Sequence, residues 1–319
     1  MQQRNKAFWT CNEQERRNME NIKIKAYAKI NLSLDVTGRR DNGYHDVRMV
    51  MQSINLYDEL TIYRIPWNET EGGNDASSEN CRITIESDTT AVPLNEDNLI
   101  YKAAKLIMDE CGIKDGVRIV LKKNIPVAAG MAGGSTDAAA VFKGMNSLFE
   151  LGLNQESLCD MGVKIGADVP YCIMGGTALS EGIGEILTPM RAMPGCIILI
   201  VKPDISVSTG YVYTAFDSLK KKAHPDVDAM ISAIDHGDIR EVSNLLGNSL
   251  EGVTVEEYPI IREIKQIMLG NGALGALMSG SGPTVFGLFD DKTQAEETAN
   301  ILRQLSGVKD IFVTEPYNV

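Results

Sequence analysis

Apolar and polar side chains alternate over much of the first third of the chain, with the two-residue period expected of half-buried β-strands. The alternation runs from Ile22 to Val36 and is interrupted near Ala28 and Lys29. A second alternating segment covers residues 50–62, and the turn-forming stretch 38–47 separates the two. This pattern predicts two strands joined by a turn, then a polar loop at residues 66–80 and a third strand at 81–87.

Helical spacing of apolar residues dominates the next part of the chain. Residues 95–111 and 155–164 each place apolar side chains on one face, and Gly112 ends the first of these helices. A further helix follows a glycine-rich stretch, with apolar residues at 138, 141, 145 and 148 on one face. Because Ser135, Thr136 and Asp137 are favourable N-cap residues, we predict that this helix begins there, after a strand at 117–121.

The second half of the chain has a different order of elements. An apolar run at residues 196–201 predicts a buried strand, and helices are predicted from 206–209 onwards and at 225–235, 238–249 and 257–269. Strands at 273–278 and 284–289 flank the turn SGSGP, and a helix at 291–305 and a strand at 309–314 follow. This order predicts a ferredoxin-like α+β sandwich, with a domain boundary near residues 180–195.

Length and charge narrow the possible classes of function. A chain of 319 residues fits two cores better than one. We expect a disordered extension at residues 1–18, an N-terminal domain at 19–185 and a C-terminal domain at 186–319. The net charge of −12 argues against nucleic-acid binding, which needs clustered Lys and Arg, although a local cationic pocket remains compatible with a small phosphorylated ligand.

Cysteine spacing and hydropathy indicate a cytoplasmic protein. The six cysteines form no CxxC pair and have no histidine partner at zinc spacing, so we expect reduced, mostly buried thiols. No apolar run approaches the length of a membrane span, and the N-terminal segment lacks a signal-peptide pattern. We therefore expect no nucleic-acid or membrane partner, and either a monomer or a homodimer.

The stretch PVAAGMAGGSTDAAA, residues 126–140, is the strongest candidate for ligand binding. Its glycines precede a predicted helix start, where backbone N–H groups and the helix dipole favour a bound phosphate. It is not a Walker A loop, because no lysine follows Gly134. Spacing alone leaves phosphate binding and a tightly packed helix-capping loop equally open. The hydroxyls of Ser135 and Thr136 are candidates for a magnesium or phosphate contact.

Several polar residues elsewhere are candidates because of their surroundings. Lys29 lies within an otherwise apolar segment, where a lysine that reaches water from an edge strand is the structural alternative. Asp168 lies between a glycine-containing turn and the apolar run 169–174, which predicts either a partly buried carboxylate or a simple N-cap. His45 follows Tyr44 in a turn, where a histidine is either a ligand contact or a structural residue.

Together these segments resemble the GHMP small-molecule kinases. The stretch 126–140 is similar to that family's phosphate loop, and MSGSGPTVFGLF at 278–289 is similar to its third motif. A closer similarity, to the branch that acts on a cytidine diphosphate substrate in non-mevalonate isoprenoid biosynthesis, lies in KAYAKINLSLDVTGRRDNGYHDV, EDNLIYKAAKLIM, GADVPYCIMGGTALSEGIGE and the glycine loop. The resemblance covers the chain from about Ile22 to the C-terminus. It implies a two-domain α+β fold, with a ribosomal-protein-S5-like N-terminal domain and a ferredoxin-like C-terminal domain.

The resemblance also implies an activity and a set of residues. The protein would transfer the γ-phosphoryl group of ATP to an alcohol, the C2 hydroxyl of its small-molecule substrate, with Mg²⁺ as cofactor. Asp168 matches the family's catalytic aspartate, which takes the hydroxyl proton, and Lys29 matches its charge partner. The positions that match substrate contacts are Asn31, Tyr44, His45, Thr209 and Tyr213. Those that match ATP contacts, with Ser135 also a candidate for the metal, are Asn98, Leu99, Pro126, Val127, Ala128, Ala129, Gly130, Met131, Ala132, Gly133, Gly134, Ser135 and Thr136.

The match to the family is incomplete within the loop, and two alternatives stay open. Ala128 and Ala129 stand where some members carry glycine, and Asp137 stands where some carry asparagine, which places an extra charge near the phosphates. The first alternative is another GHMP enzyme of the mevalonate, homoserine or phosphomevalonate kinase type, against which YHDV and GADVPYC argue. The second is a non-catalytic ligand-binding homologue, against which the presence of both Lys29 and Asp168 argues.

Overall fold

The computed structural model describes residues 20–67 and 82–319. The predicted extension at residues 1–18 and most of the predicted loop at 66–80 lie outside these ranges, as do Cys11 and Cys81. The strands are β1 (Asn21–Arg39), β2 (His45–Ile65), β3 (Ile83–Ser87), β4 (Gly116–Lys122), β5 (Thr177–Glu181), β6 (Ile186–Pro189), β7 (Ile197–Pro203), β8 (Gly247–Asn248), β9 (Gly275–Met278), β10 (Val285–Phe289) and β11 (Val308–Thr314).

The helices lie between these strands, singly or in runs of up to three. They are α1 (Leu99–Cys111), α2 (Gly133–Leu148), α3 (Gln155–Val163), α4 (Val169–Met174), α5 (Thr209–Asp217), α6 (Val227–His236), α7 (Ile239–Asn244), α8 (Glu251–Glu257), α9 (Pro259–Gly270) and α10 (Lys292–Leu302). Within the described residues, none of these helices combines the length and the apolar character that a membrane span requires.

The long antiparallel pair β1–β2 is the centre of the first sheet. Strand order across that sheet is β3-β4-β2-β1-β8, and β5 joins β2 on a branch that continues to β6. The predicted interruption near Ala28 and Lys29 is wrong as a break, because β1 runs through it with a register shift between Tyr27 and Lys29. Such a bulge keeps the ladder continuous while it re-aims the following side chains. Because the Lys29 side chain is buried, the alternative of an edge-strand lysine that reaches water is excluded.

Helices α1 to α4 cover one face of the first sheet. Their apolar sides and the sheet share a core that includes Leu60, Ile107, Phe142 and Tyr171, all nearly inaccessible to solvent. The opposite face of β1 carries Ile30 and other apolar residues into a second core, which is shared with the second sheet. Burial on both faces explains why apolar residues dominate this strand more than simple alternation predicts.

The second sheet has the order β11-β7-β10-β9, all antiparallel. Helices α9 and α10 pack on one of its faces through Ile264, Met268 and Leu302. The other face, including Phe286 and Leu288, packs against β1 and α6. The predicted ferredoxin-like arrangement is thus confirmed, and its back face is joined to the first sheet by a continuous apolar layer.

Several predicted helix boundaries differ from the structure. Helix α1 begins at Leu99 instead of 95, because the Asn98 side chain accepts a hydrogen bond from the Ile100 N–H and caps it. Helix α2 begins at Gly133, two residues before the predicted N-cap. The predicted helix at 238–249 ends at Asn244, where the chain turns into β8, and Asn248 Nδ2 donates to the carbonyls of Met278 and Gly280.

Candidate active site

A cleft of about 790 Å³ lies where the loop before α2, strand β1, the start of α4 and helix α5 meet. Several predicted site residues line it from these different elements: Lys29, Asn31, Tyr44, His45, Leu99, Ala128, Ala129, Gly130, Ala132, Gly133, Gly134, Ser135, Asp168, Thr209 and Tyr213. Five others do not line it: Asn98, Pro126, Val127, Met131 and Thr136. The folded chain therefore assembles most of the predicted residues into one concave surface.

The glycine-rich loop has left-handed backbone conformations at alternate positions. The φ angles are 52° at Ala128, 71° at Gly130 and 56° at Ala132. Alternation of this kind turns successive backbone N–H groups toward one side and makes a concave anion-binding surface. Ala132 is also the N-cap of α2 and makes no side-chain capping bond, so the first N–H groups of that helix remain available at the positive end of its dipole.

Gly130 is required by a contact with the second half of the chain. A Cβ atom at this position would lie 2.4 Å from the Ser279 carbonyl oxygen, in addition to the positive φ. The Ser279 hydroxyl donates a hydrogen bond to the Gly130 carbonyl oxygen over 3.0 Å. The turn SGSGP, which lies in the stretch that resembles the family's third motif, thus supports the back of the loop.

The two hydroxyls of the loop have different surroundings. Thr136 is buried, and its Oγ1 donates to the Tyr27 carbonyl oxygen over 2.6 Å, at the bulge of β1. Ser135 lines the cleft instead. Of the two candidates for a metal or phosphate contact, Ser135 is therefore the one that lines the cleft.

Lys29 and Asp168 approach each other across the middle of the cleft. The distance between Lys29 Nζ and Asp168 Oδ2 is 3.9 Å, and the side chains are 6% and 34% exposed respectively. Asp168 occupies the N-cap position of α4 without making a capping hydrogen bond. Pro170, the second residue of that helix, has no N–H to donate, which removes one usual partner of an N-cap carboxylate. The carboxylate is therefore left free to face Lys29 and the cleft.

Asn31 holds the lysine from the other side. Lys29 Nζ donates to Asn31 Oδ1 over 2.8 Å, and Asn31 Nδ2 in turn contacts Met49 Sδ at 3.4 Å. Both Lys29 and Asn31 are buried. The ammonium group is thus fixed by a short hydrogen bond to the amide while its contact with the carboxylate of Asp168 remains long.

The far end of the cleft carries aromatic rings and a second charged group. The rings of His45 and Tyr213 lie 4.9 Å apart with an interplanar angle of 34°. His45 Nε2 is 2.8 Å from Asp217 Oδ1, and Arg39 Nη1 is 3.2 Å from the other oxygen of that carboxylate. Tyr44, in contrast, is 58% exposed at the cleft rim. The aromatic rings at this end of the cleft offer flat faces for a planar ligand group.

Two buried groups beside Asp168 stay protonated. Burial, with a smaller contribution from the Asp168 charge, raises the pKa of Tyr213 well above its ordinary value. The same two causes raise the pKa of the Cys172 thiol to about 12. Cys172 is accordingly an inert thiol behind the catalytic candidates.

The other described cysteines, Cys111, Cys159 and Cys196, are also free, as the spacing predicts.

A buried charged cluster lies beneath the loop. Lys123 Nζ is 2.6 Å from an oxygen of Asp58 and 2.6 Å from an oxygen of Asp137. Asp58 also accepts hydrogen bonds from the N–H groups of Asn124 and Ile125, which lead into the loop. Burial, reinforced by the neighbouring Asp58, raises the pKa of Asp137 well above its ordinary value, against the opposing effect of Lys123. The Asp137 side chain thus packs below the loop against Lys123.

Several residues of the cleft were not singled out by the sequence. Asp217 ends α5 in an ordinary amphipathic context, and nothing near it in the chain indicates a partner as distant as His45. The hydroxyl of Ser281 lies 2.9 Å from that of Thr209 and also lines the cleft. The resemblance of MSGSGPTVFGLF to a family motif was the one signal available for Ser281.

The donor set bears on how Mg²⁺ would be held. Within residues 20–67 and 82–319, no group of three or more His, Cys, Asp or Glu side chains is placed to hold a metal ion. Of the two hydroxyl-bearing residues at the loop, Ser135 lines the cleft and Thr136 does not, and Asp168 lines the same cleft. This set fits Mg²⁺ carried by nucleotide phosphates, since that ion keeps much of its water and needs few protein ligands.

Comparison with known proteins identifies similar chains. The families described as GHMP kinases N terminal domain and GHMP kinases C terminal match residues 98–176 and 230–306. A relative from Lachnospira eligens, 4-diphosphocytidyl-2-C-methyl-D-erythritol kinase, is 50% identical over 299 residues, which are 94% of this chain and 99% of the relative.

Solved structures agree with these relatives. A crystal structure of 4-(cytidine 5'-diphospho)-2C-methyl-D-erythritol kinase superposes with a TM-score of 0.76 at 30% identity and covers 93% of this chain and all of its own. Homoserine kinase from Cytophaga hutchinsonii superposes with a TM-score of 0.73 at 18% identity, with 97% of each chain covered, which is a similarity of fold alone.

Proposed function

Because the chain belongs to the 4-diphosphocytidyl-2-C-methyl-D-erythritol kinase family of GHMP kinases, we propose that it transfers the γ-phosphoryl group of ATP to the C2 hydroxyl of 4-diphosphocytidyl-2-C-methyl-D-erythritol. The observation that carries this proposal is the position of Lys29 and Asp168. They lie in one cleft with the glycine-rich loop and the His45–Tyr213 pair. In this arrangement the loop suits the phosphates of the donor, the Lys29–Asp168 pair suits the reacting groups, and the His45–Tyr213 pair suits a flat base.

Asp168 is the group that accepts the substrate proton. Its carboxylate makes no capping bond, is about one-third exposed and faces the cleft, so a substrate hydroxyl can approach it. Its role is to position the hydroxyl and to take the proton as the new P–O bond forms, since phosphoryl transfer depends mainly on positioning and charge stabilisation.

Lys29 supplies the positive charge between donor and acceptor. Asn31 fixes its ammonium by a 2.8 Å hydrogen bond, while the 3.9 Å separation from Asp168 leaves room for other oxygens to contact it. A fixed cation in a buried site stabilises charge that develops in the transition state more effectively than water does. Lys29 therefore acts on the transferring phosphoryl group as well as on Asp168.

The loop and the aromatic end bind the two ligands. N–H groups between Gly130 and Gly134 hold the nucleotide phosphates, and Ser135 is the side chain placed to contact Mg²⁺. When bound, Mg²⁺ neutralises charge on the phosphate oxygens. The cytosine ring binds beside Tyr44 and Tyr213, with His45 held in place by Asp217.

The further expectations from the sequence belong to this proposal. They are a domain boundary near residues 180–195, a cytoplasmic enzyme and a monomer or homodimer. Free thiols at the four described cysteines fit the cytoplasm, where thiols stay reduced.

A panel of phosphoryl acceptors tests the proposal. We expect Mg²⁺- and ATP-dependent transfer to the cytidine diphosphate substrate, and little transfer to free 2-C-methyl-D-erythritol 4-phosphate, mevalonate or homoserine. Tyr213→Ala is expected to raise KM for the cytidine substrate more than KM for ATP, because stacking on a base contributes about 1–3 kcal/mol. Preferred transfer to mevalonate or homoserine would assign the chain to another GHMP activity, and binding of ATP without turnover on any acceptor would make it a non-catalytic homologue.

A further inference from the structure

Lys143 connects the helix of the phosphate loop to the helix that carries Asp168. Its Nζ donates to the carbonyl oxygens of Cys172 and Ile173, each over 3.2 Å. Both carbonyls belong to the last turn of α4, where backbone acceptors have no partner within the helix. Lys143 itself lies on α2, which begins at Gly133 of the loop. We propose that Lys143 is a positioning residue that sets the place of Asp168 relative to the phosphate loop; this rests on the proposed kinase function.

Helix α4 needs support from outside because it is only six residues long. So short a helix is marginal by itself, and its stability depends on tertiary contacts. Asp168 does not stabilise it through a side-chain cap, although it occupies the N-cap position. Its backbone does take part, since the Cys172 N–H donates to the Asp168 carbonyl oxygen over 3.0 Å. Lys143 therefore acts on a hydrogen-bonded segment that leads directly to Asp168.

Helix α2, which carries Lys143, is also bonded to the β1 bulge through its first turn. Thr136, in the first turn of α2, donates to the Tyr27 carbonyl oxygen, two residues before Lys29. Helix α2 thus contacts the lysine-bearing strand through Thr136 and the aspartate-bearing helix through Lys143. One rigid element fixes both partners of the Lys29–Asp168 pair relative to the loop.

The stability of the fold alone does not account for a lysine at this position. Lys143 is partly buried, and burial lowers its pKa. Among the residues that the structure describes, no carboxylate forms an ion pair with it, and its partners are neutral carbonyls. Burying an ammonium without a counter-charge is unfavourable, and an apolar side chain of similar length is often better tolerated. Removal of the buried ammonium and loss of its two hydrogen bonds act in opposite directions, so Lys143→Met should change the melting temperature little while it releases the end of α4.

The test compares Lys143→Met with the parent enzyme and with Lys164→Met. Lys164 follows α3 and forms an exposed ion pair with Glu110, so its substitution controls for the loss of one lysine. We expect kcat of Lys143→Met to fall about tenfold to a hundredfold, as for a small misplacement of a catalytic group, with KM for ATP and for the cytidine substrate within about twofold of the parent values. Lys164→Met should match the parent in all three constants.

Two further measurements separate positioning from a purely structural role. Lys143→Arg keeps the donors, and we expect it to recover most of kcat. Amide hydrogen exchange should become faster in Lys143→Met at residues 169–175 and stay unchanged in α3. An unchanged kcat in Lys143→Met overturns the positioning role, and so does a fall in kcat with a matching fall in melting temperature and ATP affinity. Absence of transfer by the parent enzyme would instead overturn the proposed function.

Discussion

Two lysine–aspartate sites lie close to the glycine-rich loop, and they differ in the separation of their charges and in the exposure of their carboxylates. In the cleft, Lys29 and Asp168 are 3.9 Å apart, and the aspartate is about one-third exposed. Beneath the loop, Lys123 lies 2.6 Å from each of two carboxylates, those of Asp58 and Asp137, and all three side chains are at most 6% exposed.

The difference shows how the same residue types serve two purposes. Beneath the loop, Lys123 is bonded to both carboxylates, and Asp58 accepts two further backbone hydrogen bonds. Lys123 and Asp58 are occupied by protein partners, which hold the base of the loop in place, while Asp137 Oδ1 is buried without a hydrogen-bond partner. In the cleft, the longer separation leaves hydrogen-bonding capacity for a substrate. A loosely paired charge is therefore the better candidate for chemistry, and a tightly paired one for structure.

The largest effect is expected from Asp168→Asn. An amide keeps the shape but neither accepts the hydroxyl proton nor pairs with Lys29, so kcat should fall by about 10²- to 10⁴-fold with little change in KM. The melting temperature should stay close to that of the parent, because Asp168 makes no capping bond. Steady-state kinetics at saturating ATP and Mg²⁺, together with thermal unfolding, measure both.

Lys29→Met and the variant with both substitutions, measured with Asp168→Asn and the parent, form a double-mutant cycle. If the two residues act as a unit, the double variant loses much less than the product of the two single losses. Full additivity would mean that they act independently, and near-normal turnover of Asp168→Asn would rule out the mechanism.

Lys123→Met should reduce the stability of the fold more than it reduces catalysis. It leaves two buried carboxylates without their cation, and removal of one partner of a buried ion pair typically costs about 3–5 kcal/mol in the free energy of unfolding. Urea unfolding of Lys123→Met and of Lys29→Met measures the contrast. The expected order is a much larger loss for Lys123→Met, and equal losses would remove the distinction between the two sites.

Asp137→Asn should have the smallest effect, and its sign should depend on pH. The pKa of Asp137 is raised in the folded protein, mainly by burial, so the parent loses stability as pH rises from the ordinary value of 3.8 toward the raised value. Asparagine has no such loss. The free energy of unfolding of the variant relative to the parent should therefore increase with pH across this window. A relative stability that falls with pH would show that the folded protein favours the charged carboxylate.

Most of the element order was accessible from the sequence, because it depends on local periodicity. Strands such as β7 and β10 and helices such as α3 and α10 lie within a few residues of their predicted bounds. Two of the errors arise where a distant contact decides the local structure. The bulge at Tyr27–Lys29 and the early end of α7 are both of this kind, since they depend on partners elsewhere in the chain.

The candidate site shows the same limit more clearly. The spacing of glycines was enough to locate the glycine-rich loop, but it did not predict the structural role of each glycine within the loop. A Cβ at Gly133 would meet Lys123 Nζ at 3.1 Å and Ile125 Cγ2 at 3.2 Å, so this glycine serves packing beneath the loop as well as ligand approach. Gly133→Val would therefore disturb the buried cluster and is a poor test of phosphate binding. No local sequence pattern indicates Asp217 as a site residue, because its place in the site depends on its contact with the distant His45.

The contact between Gly130 and Ser279 has a consequence for recombination between homologues. The carbonyl of Ser279 occupies the space that a side chain at position 130 would need, and the hydroxyl of Ser279 bonds back to the Gly130 carbonyl oxygen. These two positions are 149 residues apart in the chain. A crossover anywhere between them would combine these two contacting segments from different parents. Chimeric enzymes should therefore keep activity more readily when both segments come from one parent and the helices between them keep the cleft residues Asp168, Thr209 and Tyr213.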